Sequence, residues 1–443
     1  MAPVRPRLRV AALAAALVLA GLGLAASPTV PSAPVVRAGH VVPAVGVSPH
    51  LRKAGTGSSP VLPCQTTTPV QCFGPSQIRT AYGIDRLGRL GLTGRGSTIV
   101  IVDPYSAPDL HHDLRLFDQV FGLPAAKVHI IAPKGRTRFD RNDPEQVGWS
   151  AEISLDVEWA HAIAPKATID LVLARSSDDH DIDAALRWVA ARGLGDVVSQ
   201  SYGEAERCAT VSLHEQHEVF QRMNARGTTV LAGSGDQGAA EPTCDGLSWI
   251  RAASAPATDP NVTAVGGTAL SADRSGRYRS ETVWNESGSG GAGGSGLSTV
   301  FREPRYQRPV QQTGRRSVPD VAYNAATEQG VLLAWSTSGV GRDLFWVAGG
   351  TSAGSPQWAG LIALVRQKAG HRLGNINPAL YSLGTKEGAR LFHDILSGTT
   401  SVVESDASGN DAAVPGVVAH HGWDFATGFG SPKADALVAA LAD

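Results

Sequence analysis

The chain has 443 residues, of which 42% are hydrophobic and 18% charged, so it is too long and too apolar for a peptide hormone or a disordered tail and can bury a sizeable core. Its 50 glycines and 27 prolines exceed ordinary usage of roughly 12% for the two together, which signals many turns and loops around the regular elements, and collagen and coiled coil are excluded. Lys+Arg 39 against Asp+Glu 40 gives a net charge of -1, and no basic stretch is interleaved with aromatics, so nucleic acid is not an expected partner.

Arg5, Arg7 and Arg9 precede a small and apolar run over residues 10–26, followed at once by Ser27, Pro28 and Pro31. That layout predicts a secretory signal peptide over 1–26 and a secreted, extracellular protein with no membrane contact after its removal; a retained signal anchor is the lesser alternative. Residues 27–62, rich in Pro, Val, Ala, Ser and Gly without a period, read as a linker or short pro-segment. The remainder, 63–443, reads as one large domain with no internal repeat. Four cysteines in an exported chain favour disulfides, and of three connectivities the local one, Cys64 with Cys72 and Cys208 with Cys244, is preferred. Neither gap suits a zinc knuckle.

From about residue 97 onward, β-branched runs at 97–102, 128–131, 169–173, 196–200 and 229–232 alternate with helical patterns at 109–121, 150–163, 181–191 and 213–226. This alternation predicts an α/β fold with a parallel sheet and helices on both faces.

Three local patterns could carry chemistry. Ser352, in Gly349-Gly350-Thr351-Ser352-Ala353-Gly354, opens a helical run after the apolar stretch 344–348, where unpaired N–H groups and the positive helix end suit a nucleophile whose intermediate is an oxyanion; an ordinary N-cap is the plainer reading. Glu152 and Asp156 fall four apart on one helix face, which taken alone reads as a solvated face; the neighbours Ile153, Leu155, Val157 and Trp159 shift that reading toward a buried pair with one pKa raised. Asp236, in Gly233-Ser234-Gly235-Asp236-Gln237-Gly238, follows a strand and belongs at the C-terminal edge of the sheet, although Asp is also a common turn former. His214-Glu215-Gln216-His217 has its histidines three apart rather than four and reads as a solvated helix face. Neither phosphate-binding nor dinucleotide glycine patterns open a βα unit.

Taken in order, Glu152 with Asp156, Asp236 in Ser-Gly-Asp-x-Gly and Ser352 in Gly-Thr-Ser-Ala resemble the sedolisin family of serine-carboxyl peptidases. The likeness extends through Ile101-Val102-Asp103-Pro104-Tyr105, Ala164-Pro165, Ser201-Tyr202-Gly203, Gly293-Gly294-Ser295-Gly296, Val318-Pro319-Asp320 and Gly422-Trp423-Asp424. The resemblance implies a subtilisin-like fold, polypeptide substrates and a monomer. It further implies Ser352 as nucleophile, Glu152 as general base, Asp156 as the group orienting that base, and a protonated Asp236 as oxyanion donor, which together predict activity in acid. It also implies one structural Ca2+ held by the carboxylates of Asp394 and Asp424 and backbone oxygens of Ile395 and Gly422. Two features depart from the family: only residues 27–62 lie where it usually carries a long pro-domain, and His420-His421 stand where it tends to have Gly and Pro.

Two other classes compete. Gly350-Thr351-Ser352-Ala353-Gly354 also satisfies Gly-x-Ser-x-Gly, and Asp394 followed by His420 or His421 completes the order of a secreted α/β-hydrolase esterase. A non-catalytic binding protein on the same fold is the third reading.

Overall fold

In the computed structural model, residues 42–43, 52–57, 61–287 and 291–443 are described. The expected signal peptide, 1–26, lies outside the described residues. Two short strands come first, β1 (Val42–Pro43) and β2 (Arg52–Thr56). Both pair with the body of the protein, so ordered pairing begins upstream of Pro63, the expected start of the domain.

The α/β alternation then follows. Strand β3 (Thr98–Pro104) leads to α1 (Leu110–Phe121), β4 (Lys127–Ile131), α2 (Pro144–Ile163), β5 (Thr168–Ala174) and α3 (Asp179–Arg192). Next come β6 (Val197–Gln200), β7 (Tyr202–Ala205), α4 (Thr210–Ala225), β8 (Thr229–Gly233) and β9 (Ser254–Ala255). The second half adds β10 (Thr263–Ala272), β11 (Tyr278–Val283), β12 (Val321–Asn324), β13 (Gly330–Ala334), β14 (Leu344–Ala348) and α5 (Thr351–Ala369).

The main sheet runs β11-β10-β8-β6-β3-β5-β4, with β12 beside β10. All its pairs are parallel except β10 with β11. Ile99, Val100, Ile101 and Val102 of β3 are all buried, as a central parallel strand covered on both faces requires. From β3 the chain builds outward to β5 and β4, then crosses back to β6 on the other side. The strand order therefore reverses at β3 and β6, and a crevice opens at their C-terminal ends, the usual place for a site in such sheets.

Helix α2 starts six residues before its expected position. Asp143 caps it, its Oδ1 accepting from Glu145 N at 3.0 Å, and Pro144 occupies the first helical position. Every residue from Gln146 to Ile163 is buried, so the helix has no polar stripe from which its period could be read. It packs against α5, and Gly360 permits the approach: a Cβ there would lie 2.6 Å from the Ile163 Cβ. The tetrapeptide His214 to His217 is only partly solvated. Gln216 is buried and donates to Asp183 at 2.8 Å, while His217 Nδ1 pairs with Asp259 at 2.8 Å. Disulfides join Cys64 to Cys72 and Cys208 to Cys244, the local connectivity.

Candidate active site

Ser352 is the second residue of α5 and is fully buried. Gly350, with φ 95°, turns the chain from β14 into the helix, a backbone conformation that disfavours any residue with a side chain. Two contacts pin the first turn. Ser355 Oγ meets Ser199 Oγ at 2.9 Å, which ties the helix to β6, and Thr351 is held by Asp236. The Ser352 hydroxyl faces the carbonyl of Ser201, 3.5 Å away, just past the C-terminal end of β6.

Asp236 sits in the turn after β8. Its Oδ1 accepts from Thr351 N at 2.8 Å and Thr351 Oγ1 at 2.9 Å, whereas Oδ2 is buried with no hydrogen-bond partner among the described residues. Burial pushes this carboxyl up to about 7, against the two Thr351 donors. One carboxyl oxygen is thus anchored to the helix that bears Ser352, and the other remains available to carry a proton.

Glu152 and Asp156 lie one turn apart on α2 and are both fully buried, as their apolar surroundings predict. Asp156 Oδ1 accepts from Ser201 Oγ at 2.8 Å. Its pKa is raised well above the ordinary carboxylate range, first by burial and then by the neighbouring charges of Asp103 and Glu152, with the Ser201 hydroxyl opposing. Ser201 therefore bridges the two parts of the site, its carbonyl toward Ser352 and its hydroxyl on Asp156.

Two further carboxyls belong to this region, and local pattern did not single them out. Asp103 ends the apolar run of β3, is fully buried, has no hydrogen-bond partner on either oxygen among the described residues, and is pushed up to about 8 by burial. Glu241 stands beside the Asp236 turn, where a Cβ on Gly235 would come within 3.0 Å of its Oε1; burial raises it to about 8. An acid at the very end of a four-residue apolar strand run was the available signal for Asp103. Next to the same turn, where Ser295 N donates to Gly238 O at 3.0 Å, a cavity of about 440 Å³ is lined by Ala253, Ser295, Leu297, Phe425 and Arg251.

The esterase arrangement does not assemble. The His421 side chain is 91% exposed with its Nε2 3.7 Å from Asp394, and His420 is also exposed with its Nδ1 3.1 Å from the His421 carbonyl, while Ser352 is fully buried and its hydroxyl faces Ser201 rather than either imidazole. The expected metal residues do converge on one loop: Gly422 N donates to both oxygens of Asp394, at 3.2 and 3.0 Å, and His420 N donates to Asp424 Oδ2 at 3.0 Å. Among the described residues, neither the Ile395 nor the Gly422 carbonyl accepts a backbone hydrogen bond outside the regular elements. These carboxylates and carbonyls are hard-oxygen donors of the class Ca2+ takes, but among the described residues no group of three or more His, Cys, Asp or Glu gathers to hold a metal ion.

The Subtilase family profile matches residues 146–386, which hold α2 from Gln146 onward, the Asp236 turn and Ser352. Kumamolisin of Bacillus sp. (strain MN-32) is 34% identical over 381 residues, 83% of this chain and 63% of that protein. Sedolisin of Pseudomonas sp. (strain 101) is 29% identical, covering 76% of this chain and 57% of its own, and rat tripeptidyl-peptidase 1 is 30% identical, covering 75% and 57%. The chain thus spans 57 to 63% of the length of these curated relatives. The solved structure of Pseudomonas sedolisin, a serine-carboxyl proteinase complexed with two molecules of pseudo-iodotyrostatin, superposes with a TM-score of 0.71 at 28% identity, over 83% of this chain and 97% of that one. On the profile match, these relatives and this structural neighbour, the chain belongs to the sedolisin family of serine-carboxyl peptidases, with a subtilisin-like fold.

Proposed function

We propose that the protein is a secreted, acid-active peptidase in which Ser352 attacks the scissile carbonyl of a polypeptide. Glu152 takes the hydroxyl proton as the Oγ–C bond forms, and Asp156, fixed by Ser201, orients Glu152. Asp236, protonated on Oδ2, donates to the oxyanion of the tetrahedral intermediate. Glu152 then returns its proton to the departing amine, leaving an acyl group on Ser352. Water attacks that ester with Glu152 again as base, which releases the acid product and restores the serine.

The observation that carries this reading is the split role of Asp236. One oxygen is committed to Thr351 beside Ser352, the other is unpartnered, and burial keeps the group neutral up to about pH 7. A neutral acid can donate; an ionised one repels the developing oxyanion. On the alkaline side activity falls as pH rises through about 7, and on the acid side it needs one negative charge on the coupled Glu152–Asp156 pair. The buried carboxyl of Asp236 thus extends activity closer to neutrality than unperturbed carboxyls allow.

Asp394 and Asp424, with the carbonyls of Ile395 and Gly422, would hold one Ca2+, whose charge would neutralise carboxylates and tie the segment after residue 394 to the loop at 420–424.

The test is digestion of a peptide library at about pH 4, with Ser352→Ala and Glu152→Gln beside the parent. Turnover should vanish in the first and drop at least about a hundredfold in the second, while His420→Ala and His421→Ala retain it. Undiminished cleavage by Ser352→Ala would move the site elsewhere.

A further inference from the structure

The strand Gly296–Arg302 starts at the turn that holds Asp236: Gly294 N donates to Gly235 O at 2.8 Å and Ser295 N to Gly238 O at 3.0 Å. It pairs antiparallel with Arg315–Val318, setting Leu297 opposite Ser317 and Arg302 opposite Arg315. At roughly 3.3 Å per residue, Arg302 lies about 16 Å along the strand from Leu297. Val300 and Phe301 pack inward against Ala209 and Leu213. The far end of the strand and the loop that closes it carry Arg302, Arg305, Arg308 and Arg315, all exposed.

The loop is held in place from within. Gln307 is buried and donates to Ser317 O at 2.9 Å and to Tyr381 Oη at 2.7 Å, and Gly314 N donates to Glu303 Oε2 at 2.9 Å. Elsewhere on the surface Arg86, Arg89, Arg187 and Arg390 each meet an acid, whereas among the described residues no ion pair includes Arg302, Arg305, Arg308 or Arg315. Like charges directly opposite in an antiparallel ladder repel, and an anion lying between Arg302 and Arg315 relieves that. The cavity of about 440 Å³ joins this flank to the Asp236 turn: Leu297 and Thr313 line it, and the exposed Arg251 adds a fifth guanidinium to its wall.

The ionisable groups packed against the flank do not cancel its charge. Glu303 is on the loop itself, and Glu206 lies buried beneath the strand, accepting from Thr299 Oγ1 at 2.8 Å. Buried Arg316 is matched by Asp320. His217, its ring centroid 5.2 Å from that of Phe301, is raised by its hydrogen bond to Asp259, so it too is cationic in acid.

We propose that this flank docks acidic side chains, aspartate and glutamate, of a polypeptide substrate, about five residues beyond the part of the substrate held at the Asp236 turn. This rests on the peptidase reading of the site. Guanidinium keeps its charge throughout the acid range and can grip a carboxylate with two parallel bonds. The substrate's own carboxyls titrate near about 4, so docking strengthens as pH rises from about 3.5 to about 6. The aromatic rings of the flank are engaged elsewhere, Tyr306 donating to Pro260 O at 2.9 Å and packing on Tyr381, and Phe301 facing His217. That favours a peptide over a single-stranded nucleic acid, which needs free faces for stacking bases.

The experiment uses paired fluorogenic peptides that differ only in carrying four glutamates or four glutamines, five to eight residues from the scissile bond, on each side in turn. At pH 5 the parent should favour the glutamate peptide about tenfold in kcat/KM, through KM, since two or three exposed ion pairs each supply a factor of about two to five. Combining Arg302→Gln, Arg305→Gln, Arg308→Gln and Arg315→Gln should abolish the preference. Arg302→Gln with Arg305→Gln, which keeps the Arg315 bond to Thr299 O, should reduce it part way, and Arg187→Gln, outside the flank, should leave it intact. The preference should shrink toward pH 3.5 for glutamate but not for a cysteic acid flank, which stays ionised. Fluorescence anisotropy of the glutamate peptide on Ser352→Ala, with and without the four arginine substitutions, reads docking apart from cleavage. Equal preference and equal binding with and without the arginines overturn the proposal and leave the peptidase reading standing. Arginine-dependent binding with no cleavage by any form supports docking and sinks the peptidase reading. Tighter arginine-dependent binding of double-stranded DNA than of the glutamate peptide, at one ionic strength, overturns the proposal in favour of a polyanion.

Discussion

Asp236→Asn separates the chemistry of Asp236 from its packing. Asn is nearly isosteric: its carbonyl can keep both bonds from Thr351, and its amide takes the position of the unpartnered Oδ2. In the folded protein burial moves the carboxyl from 3.8 to about 7, so the native state holds this proton more tightly than the unfolded chain across that interval. Stability is therefore greatest below the unfolded value and declines as pH rises through the interval. At about 1.4 kcal/mol per pKa unit the loss reaches on the order of 4 kcal/mol above pH 7. Asparagine has no proton to lose. The variant and its parent should unfold at similar denaturant concentrations at pH 4, and by pH 8 the variant should be more stable by about 4 kcal/mol. Equilibrium unfolding at pH 4, 6 and 8, in a Ser352→Ala background that prevents self-digestion, measures this directly. In the catalytically intact background the same substitution should lower kcat on the order of a hundredfold and remove the decline of activity near pH 7. A stability gap that fails to widen between pH 4 and pH 8 would falsify the assignment of Asp236 as a buried neutral acid.

Asp103 is neutral in acid by the same reasoning, with its carboxyl pushed up to about 8, so Asp103→Asn should keep acid activity within about threefold yet widen its stability advantage between pH 4 and pH 9. Loss of acid activity beyond a hundredfold would place Asp103 in the proton path of the Glu152–Asp156 pair. Ser201→Ala removes the hydroxyl on Asp156 without touching the carbonyl that faces Ser352, so kcat should fall about tenfold with KM unchanged; a change confined to KM would make Ser201 a substrate contact only. Chelation should lower the melting temperature of the parent and have no further effect on Asp424→Ala, as differential scanning fluorimetry with and without added Ca2+ will show; identical melting in all conditions would rule out the metal.

Much of this protein is determined by local pattern. Strand and helix alternate in the sequence because a parallel sheet covered on both faces needs apolar β-branched runs between amphipathic segments, and the strands at 98–104, 168–174 and 229–233 emerge within two residues of where those runs place them. The site blocks are local as well: two acids four apart on a helix, an acid in a glycine turn after a strand, a serine where an apolar run gives way to a helix. Helix α2 shows where such reading fails. Packed on every side by α5, α1 and the sheet, it has no polar stripe, and only its Asp143-Pro144 cap marks its start.

Tertiary structure alone decided which groups meet. Asp103, Asp156 and Ser201 are far apart in sequence and come together because the strand order reverses between β3 and β6, which opens the crevice at their ends. The pairings of Val42–Pro43 with β7 and of Arg52–Thr56 with β14 join a segment without periodicity to strands more than a hundred residues away. Strand partners are chosen by backbone edges and by the space that packing leaves. Proton affinities depend on how far water is excluded around a carboxyl. Neither quantity is written in any short stretch of chain, since both arise only when distant segments close around one another.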